Sequence, residues 1–301
     1  MKKTAYQVIE KYDLNGKVFL ITGPYSGLGA VSCKALLHAG ATVILGGRSA
    51  KSQGEFARSL ENDSEINFAP RQLDASHTLD LGDLSSVRDF ASYVQASYPQ
   101  IDCLMNNAGV MYSPPGKTKD GFEIQMGVNV IGHFLLAKYL VDITKRQVWV
   151  SSKGHTRLGA PRIDISKIKQ LDKENYNPRF RYQQSKLGNI LLAKQFAIEY
   201  PHLLSVSVHP GLVSTNLSRN INFLQKLVFM FSNPLMMMQI QRPEEGAATQ
   251  VMLAAIPAAE LVQGAYYVDC QVSQEAESAR NMEDAKKLFD YCEKVTAAFQ
   301  T

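Results

Sequence analysis

Residues 18–39 read VFLITGPYSGLGAVSCKALLHA. A short apolar, largely β-branched run, Val18 to Thr22, reads as a buried strand, and the stretch from Leu28 to Ala39 carries helical periodicity. Between them lies the turn Thr22-Gly23-Pro24-Tyr25-Ser26-Gly27-Leu28-Gly29. Glycines in such a turn serve three needs: a tight reversal, backbone approach to a diphosphate, and close packing of helix on strand. The helix N-terminus then offers free amides to an anion. A glycine pattern alone reads equally well as a plain structural turn. Its place between a first strand and a first helix is what points to a nucleotide.

The same alternation continues outward. Thr42 to Leu45, Ile101 to Met105, Val148 to Val150, Leu204 to Val208 and Ala265 to Val268 read as further strands, mostly continuous in apolar character, as buried parallel strands are. Leu84 to Ser97, Phe122 to Val141 and Arg181 to Ile198 read as helices. Strand and helix in alternation mean an α/β fold: a doubly wound, mostly parallel sheet of about seven strands with helices on both faces. No Pro-, Gly- or Ser-rich linker divides the series, so residues 1–301 read as one domain. Ile66 to Leu81 holds a strand with two candidate endings, Asp74 and Asp80, of which Asp80 is favoured.

Composition narrows the class. Forty-five per cent apolar and 20 per cent charged residues allow a sizeable core, which argues against disorder. The net charge of +4 comes from interspersed signs without a basic block, so nucleic acid is not an expected partner. Cys33, Cys103, Cys270 and Cys292 lie too far apart for a metal or thiol-redox motif, and a reducing, cytoplasmic setting fits them. No metal site is expected. No apolar run reaches spanning length; the nearest, Ile221 to Ile240, is broken by Gln225, Lys226, Asn233 and Pro234.

Chemistry concentrates at the ends of the strands, where open parallel sheets bind ligands. After the second strand, Leu45-Gly46-Gly47-Arg48-Ser49 has no carboxylate and one guanidinium. An acid there would favour NAD; its absence turns Arg48 toward the 2'-phosphate of NADP(H) rather than NAD(H), with a solvated loop arginine as the plain alternative. Asn106-Asn107-Ala108-Gly109 and His209-Pro210-Gly211-Leu212-Val213-Ser214-Thr215 follow later strands. Val148-Trp149-Val150-Ser151-Ser152 ends in two hydroxyls. Tyr182 and Lys186, four apart on a helix, share a face. A tyrosine serves as an acid or base near neutral pH only if neighbouring positive charge lowers its pKa from about 10.

Taken together these residues resemble the short-chain dehydrogenase/reductase family, with its Rossmann-type fold. The resemblance rests on TGxxxGxG at Thr22 to Gly29, NNAG at Asn106 to Gly109, Asn129, Ser152, YxxxK at Tyr182 to Lys186, and Pro210, Gly211 and Thr215, in family order across Lys17 to Val268. Within the family the chain is similar to the retinol dehydrogenase branch, through Leu79-Asp80-Leu81-Gly82-Asp83-Leu84, Gly132-His133-Phe134-Leu135-Leu136 and Gln184-Ser185-Lys186-Leu187-Gly188-Asn189. The branch's usual membrane anchor is not expected here.

The resemblance implies roles. Tyr182 would exchange the proton with the substrate oxygen, Ser152 would hydrogen-bond that oxygen, Lys186 would hold the nicotinamide ribose and lower the Tyr182 pKa, and Asn129 would hold a relay water. Gly23, Tyr25, Ser26, Gly27, Leu28, Gly29, Arg48, Asp80, Leu81, Asn107, Ala108, Gly109, Pro210, Gly211, Val213 and Thr215 would contact the cofactor. Departures from the family are Pro24 and Tyr25 in the turn, extra residues around Asp74 to His77, and a long stretch from Ser152 to Tyr182. The expected activity is hydride transfer between nicotinamide and a carbonyl/alcohol pair. A double-bond or pigment reductase, and a cofactor-binding sensor or scaffold without catalysis, are the rivals. Four methionines and several aromatics in Ile221 to Ile240 suggest an apolar substrate cover at about 216–242, a hydrophobic substrate, and contact with a membrane or lipid-droplet surface. Self-association stays open.

Overall fold

A computed structural model describes residues 2–64, 66, 68–156, 162–213 and 240–300. In chain order these are α1 (Ala5–Ile9), β1 (Val18–Thr22), α2 (Gly27–His38), β2 (Thr42–Gly46), α3 (Ala50–Glu61), β3 (Leu73–Asp74), α4 (Leu84–Ser97), β4 (Cys103–Asn106), α5 (Ile124–Met126), α6 (His133–Tyr139), β5 (Arg146–Val150), α7 (Pro178–Glu199), β6 (Leu204–His209), β7 (Leu212–Val213), β8 (Ile240–Gln241), α8 (Pro243–Gly246), α9 (Ala248–Ala255), β9 (Tyr266–Val268), β10 (Gln271–Val272) and α10 (Met282–Thr296). Thr215 and nearly all of the expected cover segment lie outside the described residues.

Eight strands pair in the order β10-β9-β6-β5-β4-β1-β2-β3, one more than the seven expected, because β10 adds a two-residue antiparallel edge to β9. All other pairings in that sheet are parallel. Sequence order reverses between β1 and β4, which makes the crevice at their C-terminal ends the switch point of a doubly wound sheet.

Side chains of a strand alternate between faces, and both faces here are buried. Phe19 and Ile21 of β1 join Val43, Leu45, Met105 and Val148 beneath α1, α2, α3 and α9. Leu20, Ile44, Leu104 and Trp149 turn the other way, against Phe90 of α4, Phe134 of α6, Phe196 of α7 and Phe289 of α10. This two-faced burial is why the strands read as continuous apolar runs.

Two expectations are corrected. The third strand ends at Asp74, not Asp80. The Asp74 carboxylate accepts hydrogen bonds from Ser76 N and Oγ, Tyr93 Oη and Tyr98 Oη at 2.5–3.1 Å, which turns the chain off the ladder. It returns four residues later, where Thr78 bridges Gly47 and Leu79 N donates to Gly47 O. Asp80 thus follows a bridge, not a strand. The helix expected over Phe122 to Val141 is interrupted by π-helical turns at Gly127–Gly132, centred on Asn129. Such widened turns cluster at functional sites.

Candidate active site

Parallel pairing sets the C-terminal ends of neighbouring strands side by side. Running from β6 to β2, this edge carries His209-Pro210, Ser151-Ser152, Asn106-Asn107, Thr22-Gly23 and Gly46-Gly47-Arg48. At about 4.8 Å per strand, Arg48 and Ser152 stand three spacings, roughly 14 Å, apart along the crevice.

At the β1 end the turn has the shape that glycine permits. Gly23 and Gly27 sit at φ 64° and 52°, in the left-handed region. A Cβ on Gly29 would collide with the Gly23 carbonyl and lie 2.7 Å from Asn107 Nδ2. Ser26 caps α2 without a side-chain hydrogen bond, so the first amides of this twelve-residue helix keep their donors for an anion. Tyr25 packs its ring over Gly47, where any side chain would meet it. Arg48 is exposed, without a partner among the described residues.

The turn is tied to β4 by the buried Thr22 hydroxyl and by the Asn107 amide, whose Nδ2 donates to Thr22 O at 2.8 Å. Thr22 Oγ1 accepts from Asn107 N and Ala108 N, both at 2.9 Å, and lies 2.9 Å from His133 Nε2. His133 Nδ1 lies 3.0 Å from Asn129 O. A carbonyl only accepts, so Nδ1 carries the proton and Nε2 takes that of Thr22. Burial pushes His133 down to about 3, which keeps it neutral. Asn129 in turn spans the crevice: Oδ1 accepts from Val110 N, and Nδ2 donates to Val110 O and Ser185 Oγ. Nothing in the sequence marks Thr22 and His133 as partners, although His133 directly follows Gly132 in a quoted motif.

Helix α7 brings in Tyr182 and Lys186. It starts where Asn177 Oδ1 caps Arg179 N and Phe180 N and where Pro178 occupies the first turn. Tyr182 is 6% exposed and Lys186 3%. Lys186 Nζ donates to Val150 O at 2.9 Å, which leaves two of its three donors. It lies 5.8 Å from the Tyr182 ring centroid and 3.5 Å from where a Gly109 Cβ would stand. The two serines separate: Ser151 Oγ donates to Lys186 O, whereas Ser152 Oγ and the Tyr182 ring both stand within 4 Å of where a Gly154 Cβ would be. Tyr112, which the sequence reading did not single out, stands edge-on to Tyr182 at 5.5 Å with a strained φ of 53°.

The charges run opposite to the lowering expected of Tyr182. Burial pushes the phenol above its ordinary value, and Tyr112 adds to the rise while the neighbouring Ser152 hydroxyl opposes it. Desolvation pushes Lys186 down to about 8. Lys186 aims at Val150 O rather than at the phenol, so the protein alone does not supply the lowering.

Asp80 and Leu81 lie beside this site in sequence order but are held locally. Asp80 N donates to Ser86 Oγ, Asp80 Oδ1 accepts from Gly82 N, and Leu81 is buried. Pro210 and Gly211 extend the β6 end, with Gly211 at φ 94° over the Gln241 side chain, and Val213 packs toward Gly246. Among the described residues no group of three His, Cys, Asp or Glu could hold a metal ion.

The free first-turn amides of α2, the glycine crossing at Gly29 and the spare donors of Lys186 all fit a nicotinamide dinucleotide laid along the crevice, and comparison with known proteins agrees. The short chain dehydrogenase family matches residues 17–155. The chain is 37% identical to retinol dehydrogenase 14 of Homo sapiens over 93% of its own length and 86% of the relative's. It therefore belongs to the short-chain dehydrogenase/reductase family and is an NAD(P)-dependent oxidoreductase. Within that family it falls in the retinol dehydrogenase branch; retinol dehydrogenase 11 of Homo sapiens is 34% identical across 92% of this chain and 85% of the relative. A protein named as a daunorubicin C-13 ketoreductase, from Streptomyces sp. (strain C5), is also 34% identical, over 92% of this chain and 91% of its own. Among solved structures, an uncharacterized protein from Mycobacterium paratuberculosis superposes with a TM-score of 0.75 at 28% identity, covering 99% of this chain and 98% of its own.

Proposed function

We propose that the protein is an NADP(H)-dependent oxidoreductase acting on a carbonyl/alcohol pair of an apolar substrate, with Tyr182 as the proton-transfer residue. The meeting of Tyr182, Ser152 and Lys186 at one point of the strand-end crevice carries this reading. When bound, the nicotinamide supplies or receives the hydride. In reduction Tyr182 Oη gives its proton to the carbonyl oxygen as the carbon gains hydride; in oxidation the proton returns to Tyr182. Ser152 Oγ donates a hydrogen bond to the same oxygen, where charge develops. The two spare donors of Lys186 would hold ribose hydroxyls of the bound cofactor, and an ammonium poised at about 8 can pass a proton on near neutral pH. Asn129, through Val110 and Ser185, keeps the two walls of the crevice in register.

Arg48 supports the choice of NADP(H): it is exposed, unpartnered among the described residues, and no carboxylate stands in Leu45 to Ser49 to repel a phosphate. An apolar substrate is supported by relatives named for retinol and daunorubicin, and by the composition of Ile221 to Ile240. That segment also supports contact with lipid surfaces. Among the described residues no helix is long and apolar enough to cross a membrane.

The test is Tyr182→Phe, assayed by NADPH absorbance with all-trans-retinal and nonanal. Turnover falls by about a hundredfold or more while NADPH affinity stays within about twofold. A variant keeping more than about a tenth of wild-type turnover removes Tyr182 from the proton-transfer role.

A further inference from the structure

We infer that His155 is a positioning residue for Ser152, locking the serine's peptide to the segment that follows β10. The inference rests on the reading of Ser152 as hydrogen-bond donor to the substrate oxygen. His155 is fully buried, only three residues from Ser152, in a short helical turn (Lys153–Thr156). Its Nδ1 lies 2.5 Å from Ser152 O, and its Nε2 lies 3.1 Å from Ala276 N. A backbone amide only donates and a carbonyl only accepts, so both roles of the ring are fixed: Nε2 is bare and Nδ1 carries the proton. The imidazole is therefore a neutral bridge of defined tautomer. Its ring also meets Tyr266 of β9 edge-on at 5.1 Å.

What the bridge holds is the peptide that aims the serine hydroxyl. Ser152 O accepts from His155 N as well as from Nδ1, and Ser152 Oγ accepts from Gly154 N at 3.0 Å. With Oγ engaged as acceptor, its one hydrogen is left to point toward Tyr182 and the substrate oxygen. The turn alone is four residues long and half-exposed; the contact to Ala276, 121 residues away, is what fixes it against the sheet. Displacing a reacting group by about 1 Å costs up to about a hundredfold in rate, so a group that acts only through Ser152 can still be felt in kcat.

The proposal separates the two nitrogens. His155→Asn keeps an N–H donor near the position of Nδ1 but abandons Ala276, whereas His155→Gln reaches toward Ala276 and abandons Ser152 O. With nonanal and NADPH, kcat falls about ten- to a hundredfold in His155→Ala, His155→Gln and His155→Asn alike, because each of the two single-contact variants breaks one end of the bridge. NADPH affinity is unchanged in all three. Ala276 sits at φ −60°, which proline adopts freely, so Ala276→Pro removes the N–H, and its ring carbon, standing where the N–H pointed, displaces the imidazole. In that variant nitrogen-15 NMR shows the His155 ring losing its pure Nδ1–H form, which the wild type retains at neutral pH. An Asn, Gln or Ala variant that keeps kcat within about threefold of wild type, or an Nε2–H ring in the wild type, overturns the inference. Retained turnover in Tyr182→Phe instead defeats the underlying reading of the site, and the NMR result stands apart from it.

Discussion

Thr22→Val is the sharpest perturbation of the crevice. The two side chains have nearly the same shape, so the substitution removes one hydroxyl from a site that is completely buried. That hydroxyl accepts from Asn107 N and Ala108 N and donates to His133 Nε2. Asn107 N keeps a second acceptor in Met105 O at 2.9 Å, but Ala108 N and His133 Nε2 are left without partners. A buried polar group deprived of its partner costs about 1–3 kcal/mol, so the two together cost about 3 kcal/mol after modest relaxation. With an unfolding entropy of roughly 2 cal/mol/K per residue, a chain of this length loses about 5 °C in Tm. NADPH affinity drops about tenfold, because only the Asn107 Nδ2 bond to Thr22 O is left to tie the glycine turn to the Asn107-Ala108 wall. Thr22→Ser keeps the hydroxyl and gives up one methyl, which costs about 1 kcal/mol and less than about 2 °C. Differential scanning fluorimetry and cofactor titration read both effects. If the Val variant melts within a degree of the Ser variant, the hydroxyl does not bind the turn to β4 as described.

Arg48→Asp reverses cofactor preference: NADPH affinity falls about ten- to a hundredfold through loss of a charge-assisted contact, while NADH binding holds or improves. Fluorescence titration with both cofactors decides it, and equal affinities in the wild type remove Arg48 from the site. Stability responds to Lys186 with a definite sign. Its pKa lies at about 8 in the fold and 10.5 in the open chain, so between these values the unfolded state binds more protons and stability rises with pH. Lys186→Met removes this slope. Urea unfolding shows the variant gaining on wild type near pH 7, with the gap narrowing by on the order of 2 kcal/mol toward about pH 9.5. A gap that does not change with pH means that Lys186 is not held as a desolvated ammonium.

The strand-end arrangement gives these effects a common source. Thr22, Asn107, Ser152 and Pro210 come from four neighbouring parallel strands or the turns just after them. Each is placed by a strand whose two faces are buried, so the site rests on the core rather than on its loops. The π-helical turns at Gly127–Gly132 add the one irregular element, and they put Asn129 between Val110 and Ser185.

The sequence by itself determined whatever depends on neighbours along the chain. Val18–Thr22, the glycine turn and α2 were legible because strand burial, left-handed glycine and helical period are local properties. Tyr182 and Lys186 were legible as a pair because four residues on a helix make one turn. Tertiary structure decided whatever depends on partners brought from far away. The end of β3 was set at Asp74 by Tyr93 and Tyr98, which arrive from α4 and its end. Thr22 meets Asn107 across 85 residues, and His155 meets Ala276 across 121. The direction of the pKa shifts also came from the fold, since Tyr182 and Lys186 differ from their free values chiefly through burial. A residue pattern records which groups a strand or helix can present; only the closing of the sheet and its helices fixes what each group faces, how dry it is, and which hydrogen it has left to give.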